Sequence, residues 1–78
     1  SKIYLPIDID GSQGKTIFKV AHRKPETTIF WHLDEGFAGE TKLYHEIEVF
    51  VKPGKHKLTL VDSKGEIVEA DFEVIEKR

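Results

Sequence analysis

From Glu66 to Ile75 the chain reads EIVEADFEVI, with Val68, Ala70, Phe72 and Val74 alternating with Glu69, Asp71 and Glu73. Side chains of an extended backbone point to opposite faces in turn, so this period of two marks a β-strand with one dry and one wet side. A helix would need apolar residues three and four apart, and that spacing is hard to find anywhere in the 78 residues. The alternation recurs at intervals of about ten residues, the rhythm of an all-β chain. Leu58 and Leu60 face in while Lys57 and Thr59 face out. Ile47, Val49 and Val51 make a third inward row, and Ile29, Trp31 and Leu33 a fourth.

Seven strands are predicted: Lys2 to Ile7, Lys15 to Arg23, Thr27 to Leu33, Phe37 to Thr41, Tyr44 to Val51, His56 to Asp62 and Glu66 to Ile75. Between them lie Asp10-Gly11-Ser12, Arg23-Lys24-Pro25, Asp34-Glu35-Gly36, Lys52-Pro53-Gly54 and Asp62-Ser63-Lys64-Gly65. Proline presets φ for a turn, glycine accepts φ > 0, and Asp first with Gly fourth suits a type I turn. Four inward rows fill the space between two packed sheets. The expected fold is a seven-stranded β-sandwich of immunoglobulin-like or fibronectin-III-like type, with Trp31 of the third strand in the core. A five-stranded barrel would want a helix that the sequence does not offer.

At this length residues 1–78 make one small domain, only marginally self-sufficient and an unpromising frame for catalysis. There is no cysteine, so neither a disulfide nor a thiolate metal site reinforces it. The net charge of −2 is spread over interspersed Lys and Glu, without the basic stripe that neutralises nucleic-acid phosphates. No apolar run approaches the roughly 18 residues that span a bilayer, so membrane insertion of this segment is not expected. Ser1 directly ahead of Lys2-Ile3-Tyr4-Leu5 reads as a remnant of cloning, and the chain is expected to be a piece of something longer.

Three catalytic or binding motifs overlap in Asp8 to Thr16, DIDGSQGKT. Gly14-Lys15-Thr16 resembles the end of a phosphate-binding P-loop, but position 9 holds Ile where that motif needs Gly, and "TIFKVAH" continues as a strand. Asp8-x-Asp10-Gly11 resembles a calcium loop, but its register puts Pro6 and Ile17 at the first and last ligand positions. Ser12-x-x-Lys15 has the spacing of a serine nucleophile and its lysine base on one helical face, yet no helix and no partner motif accompanies it. All three reduce to turn residues, and no catalytic residue, cofactor or metal is assigned. His22, His32, His45 and His56 lack the i, i+2 or i, i+4 pairing that prearranges metal ligands, and are expected to be partly exposed strand residues.

With Trp31 facing in, Phe30 and His32 face out, and Tyr44, Glu46, Glu48 and Phe50 face out on the fifth strand. Phe30, His32, Tyr44 and Phe50 are therefore the candidate interaction surface, able to dock a partner or stack on a sugar ring. Against this, aromatics on strands also pack on cross-strand neighbours with no ligand, and one sequence does not set the register between strands.

Trp31-x-Leu33-Asp34-x-Gly36, Gly39 and Pro53-Gly54-x-His56-x-Leu58-Thr59-x-Val61-Asp62-x-x-Gly65 occur in this order, with a weaker extension to Pro6 and Asp10-Gly11. In order and spacing they resemble the C-terminal domain of bifunctional penicillin-binding proteins of the 1C type, over most of the chain. The resemblance implies a noncatalytic β-sandwich at the C-terminus of a membrane-anchored peptidoglycan synthase on the periplasmic side of the bacterial inner membrane. It implies Trp31 as core, Gly36 and Gly39 as close-turn positions, and Pro53, Gly54 and Gly65 as loop determinants. The glycosyltransferase and transpeptidase residues of such enzymes lie upstream and have no counterpart here. Expected partners are the adjacent transpeptidase domain, another cell-wall protein or peptidoglycan, with the fragment a monomer. The alternative is a spacer or carbohydrate-binding module of a bacterial surface protein. One departure is Asp34-Glu35-Gly36, which adds a residue where the family often has Asp-Gly or Asn-Gly, leaving the facing after Gly36 open.

Overall fold

The computed structural model describes residues 3–4, 15–24 and 26–75. Most of the first expected strand, the Asp10-Gly11-Ser12 turn and Pro25 lie outside them, as does Asp8 to Gly14 of the three overlapping motifs. The described residues contain strands and no helix: β1 (Ile3–Tyr4), β2 (Lys15–Lys19), β3 (Ala21–His22), β4 (Ile29–Leu33), β5 (Gly36–Thr41), β6 (Glu46–Phe50), β7 (Gly54–Asp62) and β8 (Ile67–Val74). All pairings are antiparallel: β1 with β3, β2 with β6, and a four-stranded sheet in the order β5-β4-β7-β8. Val20 alone separates β2 from β3, and its N–H still bonds the carbonyl of His45 beside β6 at 3.0 Å. Lys15–His22 is thus one interrupted strand, and so counted the described residues form seven strands in two antiparallel sheets.

The two sheets share one core. Phe18 from β2 meets Ile29 and Trp31 from β4 and Leu58 and Leu60 from β7, all essentially inaccessible to solvent, with Ile47, Val49, Val68 and Phe72 packed around them. The predicted alternation is visible in β8, where every even-numbered residue from Val68 to Val74 is more buried than its odd-numbered neighbours. Trp31 is the largest buried side chain. An indole removes on the order of 200 Å² from water, about 5 kcal/mol at 25 cal/mol/Å², which is comparable with the whole net stability of a small domain.

The extra residue near Gly36 lies in the strand and not in the turn. Leu33 pairs with Gly36 across a two-residue connection, His32 pairs with Phe37, and Trp31 pairs with Gly39, so Ala38 is the bulged residue. The bulge resets the facing: Phe37 shares the outer side with His32, and Gly39 lies opposite buried Trp31. The left-handed residue of the turn is Asp34, at φ 56°, whereas Gly36 has no positive φ and a Cβ there would meet only the Leu33 carbonyl at an ordinary 3.6 Å. Gly39 is different: at φ +153° a Cβ would stand 2.8 Å from Cδ1 of Ile47, where the edge of one sheet nears the other.

Candidate functional site

Each end of β7 carries a histidine–aspartate pair. Its inward row runs His56, Leu58, Leu60, Asp62, so alternation delivers a polar residue to either end of the apolar core.

At the Asp62 end, Nε2 of His22 lies 3.0 Å from Oδ2 of Asp62, with both side chains about 1% exposed. The other ring nitrogen, Nδ1, accepts the Lys24 backbone N–H at 2.9 Å. That contact fixes the tautomer, since the ring proton must then sit on Nε2 and point at Asp62. Oδ1 of Asp62 accepts the N–H groups of Lys64 and Glu66, each at 2.9 Å, while its carbonyl takes Gly65 N–H at 3.0 Å. Gly65 adopts φ +89° there. Burial pushes the Asp62 carboxyl up, but His22 and the Glu66 and Lys64 amides outweigh it and hold the group below the ordinary 3.8. His22, Asp62 and Glu66 each place a potential metal-ligand atom within 4.8 Å of the others. The tautomer argues against an ion: ligation through Nε2 would displace the proton that Asp62 accepts, and Lys24 and Lys64 line the adjoining cavity of about 290 Å³.

Next to this pair, Trp31 Nε1–H donates to Thr41 Oγ1 at 2.8 Å, and Thr41 Oγ1 lies 2.8 Å from Nδ1 of His45. The His22 and His45 rings are 6.3 Å apart. Both are buried, which corrects the expectation that all four histidines are partly exposed. Each has partners waiting at the end of the core, so desolvation is compensated by hydrogen bonds.

At the opposite end, Nδ1 of His56 lies 2.8 Å from Oδ2 of Asp34 and its Nε2 lies 2.7 Å from the Lys52 carbonyl. Carboxylate and carbonyl oxygens only accept here, so both ring nitrogens must donate, and only the imidazolium does that. The Asp34 hydrogen bond, reinforced by the Lys52 carbonyl, raises His56 above 6.5, while the same bond and Lys57 N–H hold Asp34 below 3.8. Asp34 Oδ1 accepts Lys57 N–H at 2.9 Å, and Asp34 N–H bonds the Lys57 carbonyl at 2.7 Å. His56 stacks on Phe72 with centroids 5.6 Å apart and planes 29° from parallel, beside an open cleft of about 670 Å³. The cluster ties the β4–β5 turn, the β6–β7 connection and β7 together.

The four aromatic positions do not form one surface. Phe30 and His32 lie on β4 and face out from the four-stranded sheet, while Phe50 faces out from β6 in the other sheet and Tyr44 sits in the connection before it. The outer sides of the two layers point away from each other. Pairing partners assign new neighbours instead: Phe30 is flanked by Glu40 and Val61, His32 by Phe37 and Thr59, and Val61 by Ile67. Phe37 and Ile67 are 63% and 60% exposed and complete an apolar outer stripe.

A family model described as the Penicillin-Binding Protein C-terminus Family matches residues 1–72, nearly the whole chain. The chain belongs to that family. No curated protein and no solved structure matches it. In this penicillin-binding protein C-terminal domain the Pro53-Gly54-x-His56 segment supplies His56 to the clasp with Asp34, and the Val61-Asp62-x-x-Gly65 segment supplies Asp62 to the clasp with His22. Membership in a penicillin-binding family also points to a cell-envelope protein; among the described residues no helix is long and apolar enough to cross a membrane.

Proposed function

We propose that this penicillin-binding protein C-terminal domain is a noncatalytic accessory module of a bifunctional peptidoglycan synthase of the 1C type. In this reading it is an immunoglobulin-like or fibronectin-III-like sandwich, held on the periplasmic side of the inner membrane by its parent, and its work is interaction. The reading is carried by the commitment of both histidine–aspartate pairs to holding loops. His22 and Asp62 spend both ring nitrogens and both carboxylate oxygens on each other and on backbone amides. His56 spends both nitrogens on Asp34 and a carbonyl. A general base needs a free lone pair within reach of a proton to be taken, and neither imidazole offers one.

Labelled penicillin incubated with the purified chain is expected to leave it unmodified, and a covalent adduct would overturn the noncatalytic assignment. Titration of the chain with muropeptides and with the separate transpeptidase domain, followed by NMR, tests the interaction. Shifts confined to one outer sheet face with either ligand are the expected result. Absence of shifts with both would favour a spacer.

A further inference from the structure

The outer side of the four-stranded sheet carries two adjacent cross-strand rows, Phe37-His32-Thr59-Glu69 and Glu40-Phe30-Val61-Ile67. Phe30, Val61 and Ile67 form an apolar run along one row with Phe37 at the corner beside it, and His32 and Thr59 lie next to that run on the central strands. Charge enters at Glu40, at Glu69 and in the Lys57–Glu69 ion pair at 3.3 Å on one side, the mixture of apolar surface and polar border found in docking faces. The His32 ring packs edge-on against Phe37 at 5.6 Å, and its Nδ1 is buried without a hydrogen-bond partner.

Size selects the occupant. Four strands about 4.8 Å apart and two rows of side chains give a footprint on the order of 300 Å². A stable complex of free partners, or a second copy of this chain, needs about 800 Å² on each side. Contacts between neighbouring domains of one chain begin at about 600 Å² in total, near 300 Å² a side. A tether supplies an effective concentration in the millimolar range, enough to populate so small a contact. We propose that this face, centred on Phe30, Phe37, Val61 and Ile67, docks onto an apolar patch of the neighbouring domain of the same polypeptide. The inference rests on the accessory-domain reading and adds the surface and the occupant.

Hydroxyl-radical footprinting of the full-length parent protein tests it, because Phe37 and Phe50 are the same side chain with similar exposure, 63% and 73%, on opposite sheets. If the face is docked, Phe37 oxidises several-fold more slowly than Phe50, and Ile67 is slowed with it. The variant Phe37→Glu, at an exposed position, is expected to release Ile67 while leaving Phe50 unchanged. Equal rates at Phe37 and Phe50 would overturn the docking. Slowing of Phe50 and Tyr44 alone would overturn the surface yet leave an accessory domain that binds through its other sheet. Protection lost on dilution would overturn the tethered occupant in favour of a second copy.

Discussion

Trp31 takes its place from three sides at once: Gly39 and Leu60 flank it in the sheet, the Thr41 hydroxyl accepts its indole N–H, and Phe18 closes over it from the other layer. Trp31→Ala is therefore expected to cost about 3–5 kcal/mol in denaturant unfolding, enough to leave so small a domain largely unfolded. Gly39 is the second sensitive residue, for two separable reasons. Its φ of +153° disfavours any side chain, and a Cβ would press on Cδ1 of Ile47 at 2.8 Å. Gly39→Ala is expected to cost about 1–3 kcal/mol from the backbone conformation together with the contact. Ile47→Val removes Cδ1, so its own cost of about 0.5–1.5 kcal/mol is expected to shrink when Gly39→Ala is already present. A double-mutant cycle of unfolding free energies reads this coupling, and strict additivity would mean that the backbone conformation carries the whole effect.

Among the elements, the β7–β8 hairpin depends most on one side chain, since Asp62 closes the turn with one carboxylate oxygen and clasps β3 through His22 with the other. Asp62→Ala strips partners from two backbone amides and a buried imidazole N–H, and is expected to cost about 3–5 kcal/mol. Asp34→Ala, at the more exposed clasp, is expected to cost less, and equal losses in thermal unfolding would contradict the assignment of the buried pair as the stronger one. The hairpins themselves were legible in the sequence, because period-two alternation and Pro53, Gly54 and Gly65 are local signals. The bulge at Ala38 was not, since it exists only in the pairing of β4 with β5, and the facing of Phe37 waits on it. Division of the four aromatics between two sheets has the same origin: alternation tells which side of its own strand a residue takes, and strand partners decide which surface that is. The buried histidines were more nearly readable. His22 extends the inward row Thr16, Phe18, Val20, and His45 begins the row Ile47, Val49, Val51. Carrying the alternation through polar residues would have placed both inside.

Across the whole molecule the core is an apolar block closed at each end by a histidine–aspartate clasp, one buried and one open to water. The carboxylates of both clasps and the imidazole of the open one give the domain opposite dependences on pH. Asp34 and Asp62 sit below their ordinary value in the fold, so their contribution is present above about pH 4 and is lost as the pH falls through their folded values. His56 sits above 6.5 in the fold, so its contribution is complete below that pH and is lost as the pH rises through its raised value. Asp34 faces the ring from the β4–β5 turn and the Lys52 carbonyl from the β6–β7 connection, while Lys55, Lys57, Asp71 and Glu73 line the cleft beside it from β7 and β8. Of these groups Asp34 makes the direct charged contact, and it stays ionised throughout the range in which His56 titrates, so the upper limb reports the imidazolium. Stability is thus expected to be greatest in mildly acidic solution and to fall as the pH rises through the raised value of His56. His56→Gln retains hydrogen-bonding capacity without the titrating charge. Its midpoint of thermal unfolding is expected to start lower at pH 5.5 and to draw closer to that of the parent sequence as the pH rises through the raised value of His56 and the clasp loses its proton. Parallel profiles as the pH rises would mean that His56 holds the two loops to β7 without its charge, and that the donor pairing inferred from its two oxygen partners is wrong.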